Sequence, residues 1–139
     1  MTSSELLQGV QELRVGSEFR NSHRVREFVR GAARECNLGD EAVADLALAV
    51  TEVFNNAVEH AHRFEADRQI IVRVHPRPEA IQVDIVDEGP GFAPDEASLR
   101  APATPTQRGL GLFLARQLVD RISFTRGPGT TVHLLKTAC

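Results

Sequence analysis

The stretch Leu46–His62, LALAVTEVFNNAVEHAH, sets apolar residues at helical spacing and interrupts them with Glu52, Asn56 and His60, each four residues from the last. In an α-helix such positions lie on one face. A carboxylate and an amide beside an apolar stripe are costly to bury without hydrogen-bond partners, about 1–3 kcal/mol for each unsatisfied group. The face therefore looks at solvent, caps a neighbouring loop, or has chemistry to perform. His60 by itself reads as a hydrogen-bonded packing residue. Glu59, His60 and His62 do not make a metal site, because residues two apart on a helix point away from each other.

Working outward, Asp40 reads as the N-cap of this helix, which runs to about His62. Upstream, VQELRV alternates like a half-buried strand and stops at Gly16-Ser17. Val25, Phe28, Val29, Ala32 and Cys36 then mark a helix over residues 21–36, ended by Asn37-Leu38-Gly39. Downstream, QIIVRVHP and AIQVDIVD form a hairpin around Arg77-Pro78-Glu79, and RISFTR and TTVHLLK form a second one around Gly127-Pro128-Gly129. Between the hairpins, LGLFLARQLVD is an amphipathic helix with Leu110, Phe113, Leu114 and Leu118 on one side. Three helices and five strands without an internal repeat predict an α+β sandwich, a mixed and mostly antiparallel sheet covered on one face by helices.

At 139 residues and 42% hydrophobic content the chain is expected to form one domain, residues 1–139. A net charge of -3 from 16 basic and 19 acidic residues points neither to nucleic acid nor to an acidic tail. No apolar run reaches the roughly 20 residues that cross a bilayer, and MTSSELLQG lacks the plan of a signal peptide, so a cytoplasmic protein without membrane contact is expected. Cys36 and Cys139 read as reduced thiols.

Two further motifs flank the long segment EGPGFAPDEASLRAPATPTQRG, which holds four of the seven prolines and is too long for a routine connector. Before it, VDIVDEGPGF ends a strand at Asp87 and follows it with Gly89 and Gly91, presenting a carboxylate beside backbone that carries no side chains. A flat ligand with an amino donor could sit there, although a turn that needs an aspartate would look the same. After it, Gly109 and Gly111 in RGLGLF open a helix whose first N–H groups and dipole would face phosphate oxygens.

In this order, EVFNNAVEHA, DEGPGF, RGLGLF and PGTTV resemble the four boxes of the Bergerat-type nucleotide-binding fold shared by gyrase, the ninety-kilodalton chaperone, histidine kinases and mismatch-repair ATPases, over roughly residues 40–135. Within that superfamily the chain most resembles the bacterial anti-sigma factor and serine-protein kinase group, through Glu52, Asn56, Ala57, His60 and Ala61. The resemblance implies ATP and Mg2+ as cofactors, Asn56 as the magnesium ligand and Glu52 as the general base. Asp87 would accept from the adenine amino group with support from Thr130 or Thr131, beside Gly89 and Gly91. Arg108, Gly109, Leu110, Gly111 and Leu112 would line the phosphates, with residues 93–108 as a lid. It also implies a small anti-anti-sigma (STAS-type) phosphoacceptor, a sigma factor as a further partner, and a homodimer. One departure is Glu59, which stands where many histidine kinases carry a phosphate-contacting lysine. The different-class alternative is a module that binds nucleotide and partner without transferring phosphate.

Overall fold

The computed structural model describes residues 9–61, 68–87, 110–127 and 129–138. Five strands form one sheet: β1 (Gln11–Gly16), β2 (Gln69–Arg77), β3 (Ala80–Asp87), β4 (Arg121–Arg126) and β5 (Thr130–Thr137), in the spatial order β1-β2-β3-β5-β4. Each of these four pairings is antiparallel. Helices α1 (Ser22–Glu35), α2 (Asp40–Asn56) and α3 (Leu110–Leu118) cover one face, giving the α+β Bergerat-type sandwich.

The period of two along the strands sorts residues between a covered and an open face. Leu13, Val15, Ile70, Val72, Val74, Ile81, Val83, Ile85, Val132 and Leu134 belong to the core with Val25 and Val29 of α1, Leu46, Val50, Val53 and Phe54 of α2, and Leu112 and Ala115 of α3. The open face carries Glu12 and Arg14, Arg73, His75 and Arg77, Gln82 and Asp84, Ser123 and Thr125, and His133. Cys36 is fully buried in the core, and burial pushes its thiol above the usual range.

Three local details differ from the sequence expectation or refine it. Gly39, not Asp40, takes the N-cap of α2, and its carbonyl accepts from Val43 N–H at 2.9 Å. Asp40 and Glu41 instead stand in the first turn, where their charge complements the helix dipole. At the end of α1, Asn37 adopts the left-handed conformation (φ 63°) that ends helices, a role asparagine fills at low cost. The regular α-helical hydrogen bonding of α2 stops at Asn56 and widens into a π turn over Ala57–Ala61. Single π turns inside helices are frequent at functional sites, and the wider turn takes position 60 off the strict four-residue spacing from Glu52 and Asn56.

The far end of α3 is tied to the sheet. Lys136 Nζ donates to the Leu118 carbonyl at 2.7 Å, satisfying a terminal acceptor of the helix, and lies 3.7 Å from Asp45 of α2. Asp120, just after α3, accepts from the Thr137 backbone N–H at 2.8 Å. These bonds set the line along which the other end of α3 meets α2.

Candidate functional site

The described candidates fall into two groups: Glu52, Asn56 and Gly111 where α3 begins against α2, and Asp87 and Thr130 at the end of the β3–β5 pairing. Glu52 is half-buried on α2, and Asn56 one turn later is buried. The first turn of α3 lies directly against Glu52: a Cβ built on Gly111 would stand 2.8 Å from Glu52 Oε2, 3.6 Å from its Cβ and 3.7 Å from its carbonyl oxygen. Only glycine fits this approach without moving the carboxylate. The glycine of RGLGLF and the glutamate of the long helix, 59 positions apart in sequence, are therefore in contact.

Asn56 is the polar group here most visibly built for something else. Its Nδ2 is buried with no hydrogen-bond partner among the described residues. Buried amides are normally satisfied, and a half-turn of the side chain exchanges the positions of its oxygen and nitrogen. The position can thus offer an oxygen to a hard cation. No group of three or more histidine, cysteine or acidic side chains is placed to cage a metal among the described residues. A single amide oxygen suits magnesium, which keeps waters and substrate phosphates as ligands and needs few from the protein.

At the edge of the sheet the register aligns Ile70, Asp87, Thr130 and Arg126 in one row across β2, β3, β5 and β4. Asp87 and Thr130 are both buried. The register separates the two threonines named from the sequence. Thr130 pairs with Asp87 on the covered face, whereas Thr131 pairs with Val86 on the open one. A cavity of about 410 Å³ opens at this edge, lined by Asp87, Arg126, Gly127 and Gly129 and, from the open-face side, by Val86, Thr125 and Thr131, and not by Thr130. Leu112 is buried in the core, so its side chain serves packing and only its backbone can face a ligand. Leu110 is the first residue of α3. Gly89, Gly91, Arg108, Gly109 and the expected lid at 93–108 lie outside the described residues.

Sequence reasoning missed Arg126. The signal was present: RISFTR and TTVHLLK joined by Gly127-Pro128-Gly129 put Arg126 opposite Thr130, and hence in line with Asp87. The open-face grouping around Asp84 was also missed, because its members come from four different strands.

Residues 16–136 match the family model described as "Histidine kinase-like ATPase domain". The chain is 28% identical over 120 residues to serine-protein kinase RsbW of Bacillus subtilis, covering 81% of this chain and 75% of the relative. It is 30% identical to serine-protein kinase RsbW of Listeria innocua, covering 80% and 76%. Among solved structures, the RsbU and RsbW domains of Rv1364c from Mycobacterium tuberculosis superpose with a TM-score of 0.66 at 20% identity, over 94% of this chain and 32% of that one, a likeness of fold. A blue-light activated histidine kinase, EL346 of Erythrobacter litoralis, gives 0.55 at 27% identity, over 73% of this chain and 32% of that one. No helix among the described residues is long and apolar enough to cross a membrane.

Proposed function

The chain belongs to the histidine kinase-like ATPase domain family, whose domain binds nucleotide, and is related to RsbW-like serine kinases; on that premise we propose that it is an ATP- and Mg2+-dependent protein-serine/threonine kinase. Its substrate on this reading is a small anti-anti-sigma (STAS-type) partner, and a sigma factor is a second partner that it sequesters. The homodimer and the cytoplasmic setting belong to the same reading.

The observation that carries it is the contact between Glu52 and Gly111. A proton acceptor and a helix start suited to phosphate oxygens stand side by side, as transfer from ATP to a hydroxyl requires. Phosphoryl transfer depends on positioning and charge stabilisation more than on covalent help from the enzyme. Asp87 accepts from the adenine amino group at the edge of the sheet, with Thr130 beside it and Gly89 and Gly91 leaving room for the ring. The backbone at Gly109, Leu110, Gly111 and Leu112, together with Arg108, holds the phosphates at the other end. Asn56 would hold magnesium, which when bound draws charge from the phosphate oxygens. Glu52 takes the proton from the partner's serine hydroxyl as its oxygen bonds to the γ-phosphorus and ADP departs. The tight approach of Gly111 keeps the carboxylate at that place and leaves no room for a side chain between base and phosphate.

The test is single-turnover phosphorylation of the partner at saturating ATP. Glu52→Gln keeps an acceptor oxygen and the side-chain shape but not the basicity, so the transfer rate falls by about 10²–10⁴ while ATP affinity stays near wild type. Asn56→Ala lowers nucleotide affinity and transfer together. Transfer by Glu52→Gln at the wild-type rate overturns the base assignment. Nucleotide and partner binding with no label on serine in the wild-type protein leaves a binding module.

A further inference from the structure

The open face of the sheet holds a second constellation, which shares only Thr125 with the cavity beside Asp87. Asp84 of β3 is buried although it faces away from the helices. It accepts from His75 of β2 (Nε2, 2.7 Å), from His133 of β5 (Nδ1, 2.7 Å) and from Gln82 (Nε2, 2.9 Å). A carboxylate only accepts, so the ring nitrogens facing it carry their protons. With a neutral ring, His133 Nε2 is then an acceptor and takes the Thr125 hydroxyl at 2.7 Å. Four strands are thereby pinned to one another, and the His133 ring is locked in orientation.

Beside this lock, a groove of about 450 Å³ runs over β5, lined by Arg77, Gln82, Arg121, Ser123, His133, Leu134 and Leu135. This volume lies within the range of small-molecule sites, roughly 300–1,000 Å³. The charges on this face are four arginines, Arg14, Arg73, Arg77 and Arg121, against Glu12 and Asp84, on a chain whose net charge is -3. Arg14 and Arg73 both pair with Glu12. Asp84 is occupied by the two histidines and Gln82. The two arginines of the groove, one on β2 and one on β4, meet no carboxylate among the described residues. Arg77 has only a 3.4 Å contact with the Gln82 amide oxygen.

We infer that this groove is a binding site for a small oxyanion-bearing molecule, held between Arg77 and Arg121 with the Ser123 hydroxyl as a further donor and Leu135 beneath its apolar part. Guanidinium forks on two sides match the planar, multidentate demand of a phosphate or carboxylate group. Asp84 positions the site indirectly: it satisfies both histidines, so their ring donors do not compete for the ligand. The groove and the nucleotide-site candidates are separate residue sets, so either assignment can fail without the other.

The experiment is a titration of the whole protein followed by amide NMR, with inorganic phosphate in one arm and citrate in the other, each in the presence of saturating ATP and Mg2+ to occupy the proposed nucleotide site. Shifts at Ser123, His133 and Leu135 at concentrations on the order of 1–10 mM are expected. A response to both probes, to phosphate alone or to citrate alone supports the site and names the oxyanion source. The double variant Arg77→Glu/Arg121→Glu weakens binding by about tenfold or more, and Arg77→Gln/Arg121→Gln does the same should charge reversal disturb folding. Arg34→Glu, on the exposed side of α1, leaves it unchanged. No shift at these residues with either probe, or shifts undiminished in both double variants, overturns the proposal.

Discussion

Strand β3 carries two buried aspartates three residues apart, and the pleat sends them to opposite faces. Asp84, on the open face, is surrounded by donors from its own and neighbouring strands. Burial pushes its carboxyl up, but the hydrogen bonds from Gln82, His133 and His75 outweigh that and hold it below the usual carboxylate range. Asp87, on the covered face, stands at the end of its strand beside Thr130, two positions before Gly89 in the sequence. The same residue type on the same strand thus does two jobs. Asp84 gathers the sheet's own groups, and Asp87 stands where the proposed ligand's amino group would arrive. The same contrast separates the two faces as wholes: on the covered side Gly111 approaches Glu52 so closely that a Cβ would displace the carboxylate, and residues on the open side mostly satisfy one another.

The contrast predicts that damage to the candidate residues of the covered side costs chemistry with little stability, and that damage to the open-face network does the reverse. Gly111→Ala is expected to have the largest effect. The new Cβ would meet only the end of a flexible side chain at close range, so Glu52 yields and the fold survives. The transfer rate nonetheless falls by about 10², because the base has been displaced on the scale of an ångström. Thermal melting beside single-turnover kinetics reads both quantities, and an active Gly111→Ala enzyme would break the link between this contact and catalysis.

Next in size is Asp87→Ala. Loss of a charged acceptor is expected to cost about 1.5–3 kcal/mol of nucleotide affinity, roughly tenfold to a hundredfold. Calorimetry with ATP and Mg2+ measures it, and unchanged affinity in a folded variant would move the adenine pocket elsewhere. Asp84→Ala should mirror this result. It leaves three donors without their acceptor and lowers stability by about 1–3 kcal/mol, while ATP affinity stays at the wild-type value. A variant that melts normally would mean that the open-face network contributes nothing.

The smallest effect is in the pH dependence. A carboxylate with a depressed folded-state pKa contributes stability that is present above its unfolded value, about 3.9, and is lost as pH falls through the folded value. The stability difference between wild type and Asp84→Asn should therefore be constant near neutrality and shrink in acid below about pH 4. Denaturant unfolding across that range checks the sign, and a gap that widens in acid would contradict the hydrogen-bond account.

Much of this was legible before any coordinates. The hairpin at Pro78-Glu79, the helices at α1 and α2 and the stop at Asn37 follow from alternation, helical spacing and turn chemistry, which act over a few residues and so leave local patterns in the chain. The elements of the candidate site were legible for the same reason, as short motifs around Glu52, Asp87 and Gly111. The end of regular helix at Asn56 was not, because a π turn has the same apolar composition as the α-helix it extends.

Tertiary structure decided what depends on register and approach. That Thr130 and not Thr131 stands beside Asp87 is a matter of which residues pair across β3 and β5, and a shift of one residue would reverse it. That Gly111 meets Glu52 depends on where α3 lies along α2, which is set partly by Lys136 and Asp120 at the opposite end of the helix. The linkage of His75, Asp84, Thr125 and His133 needs four strands in one register. Taken singly in the sequence these are an ordinary threonine, an aspartate and two histidines, because local pattern determines which face a residue can present and long-range packing determines what it meets there.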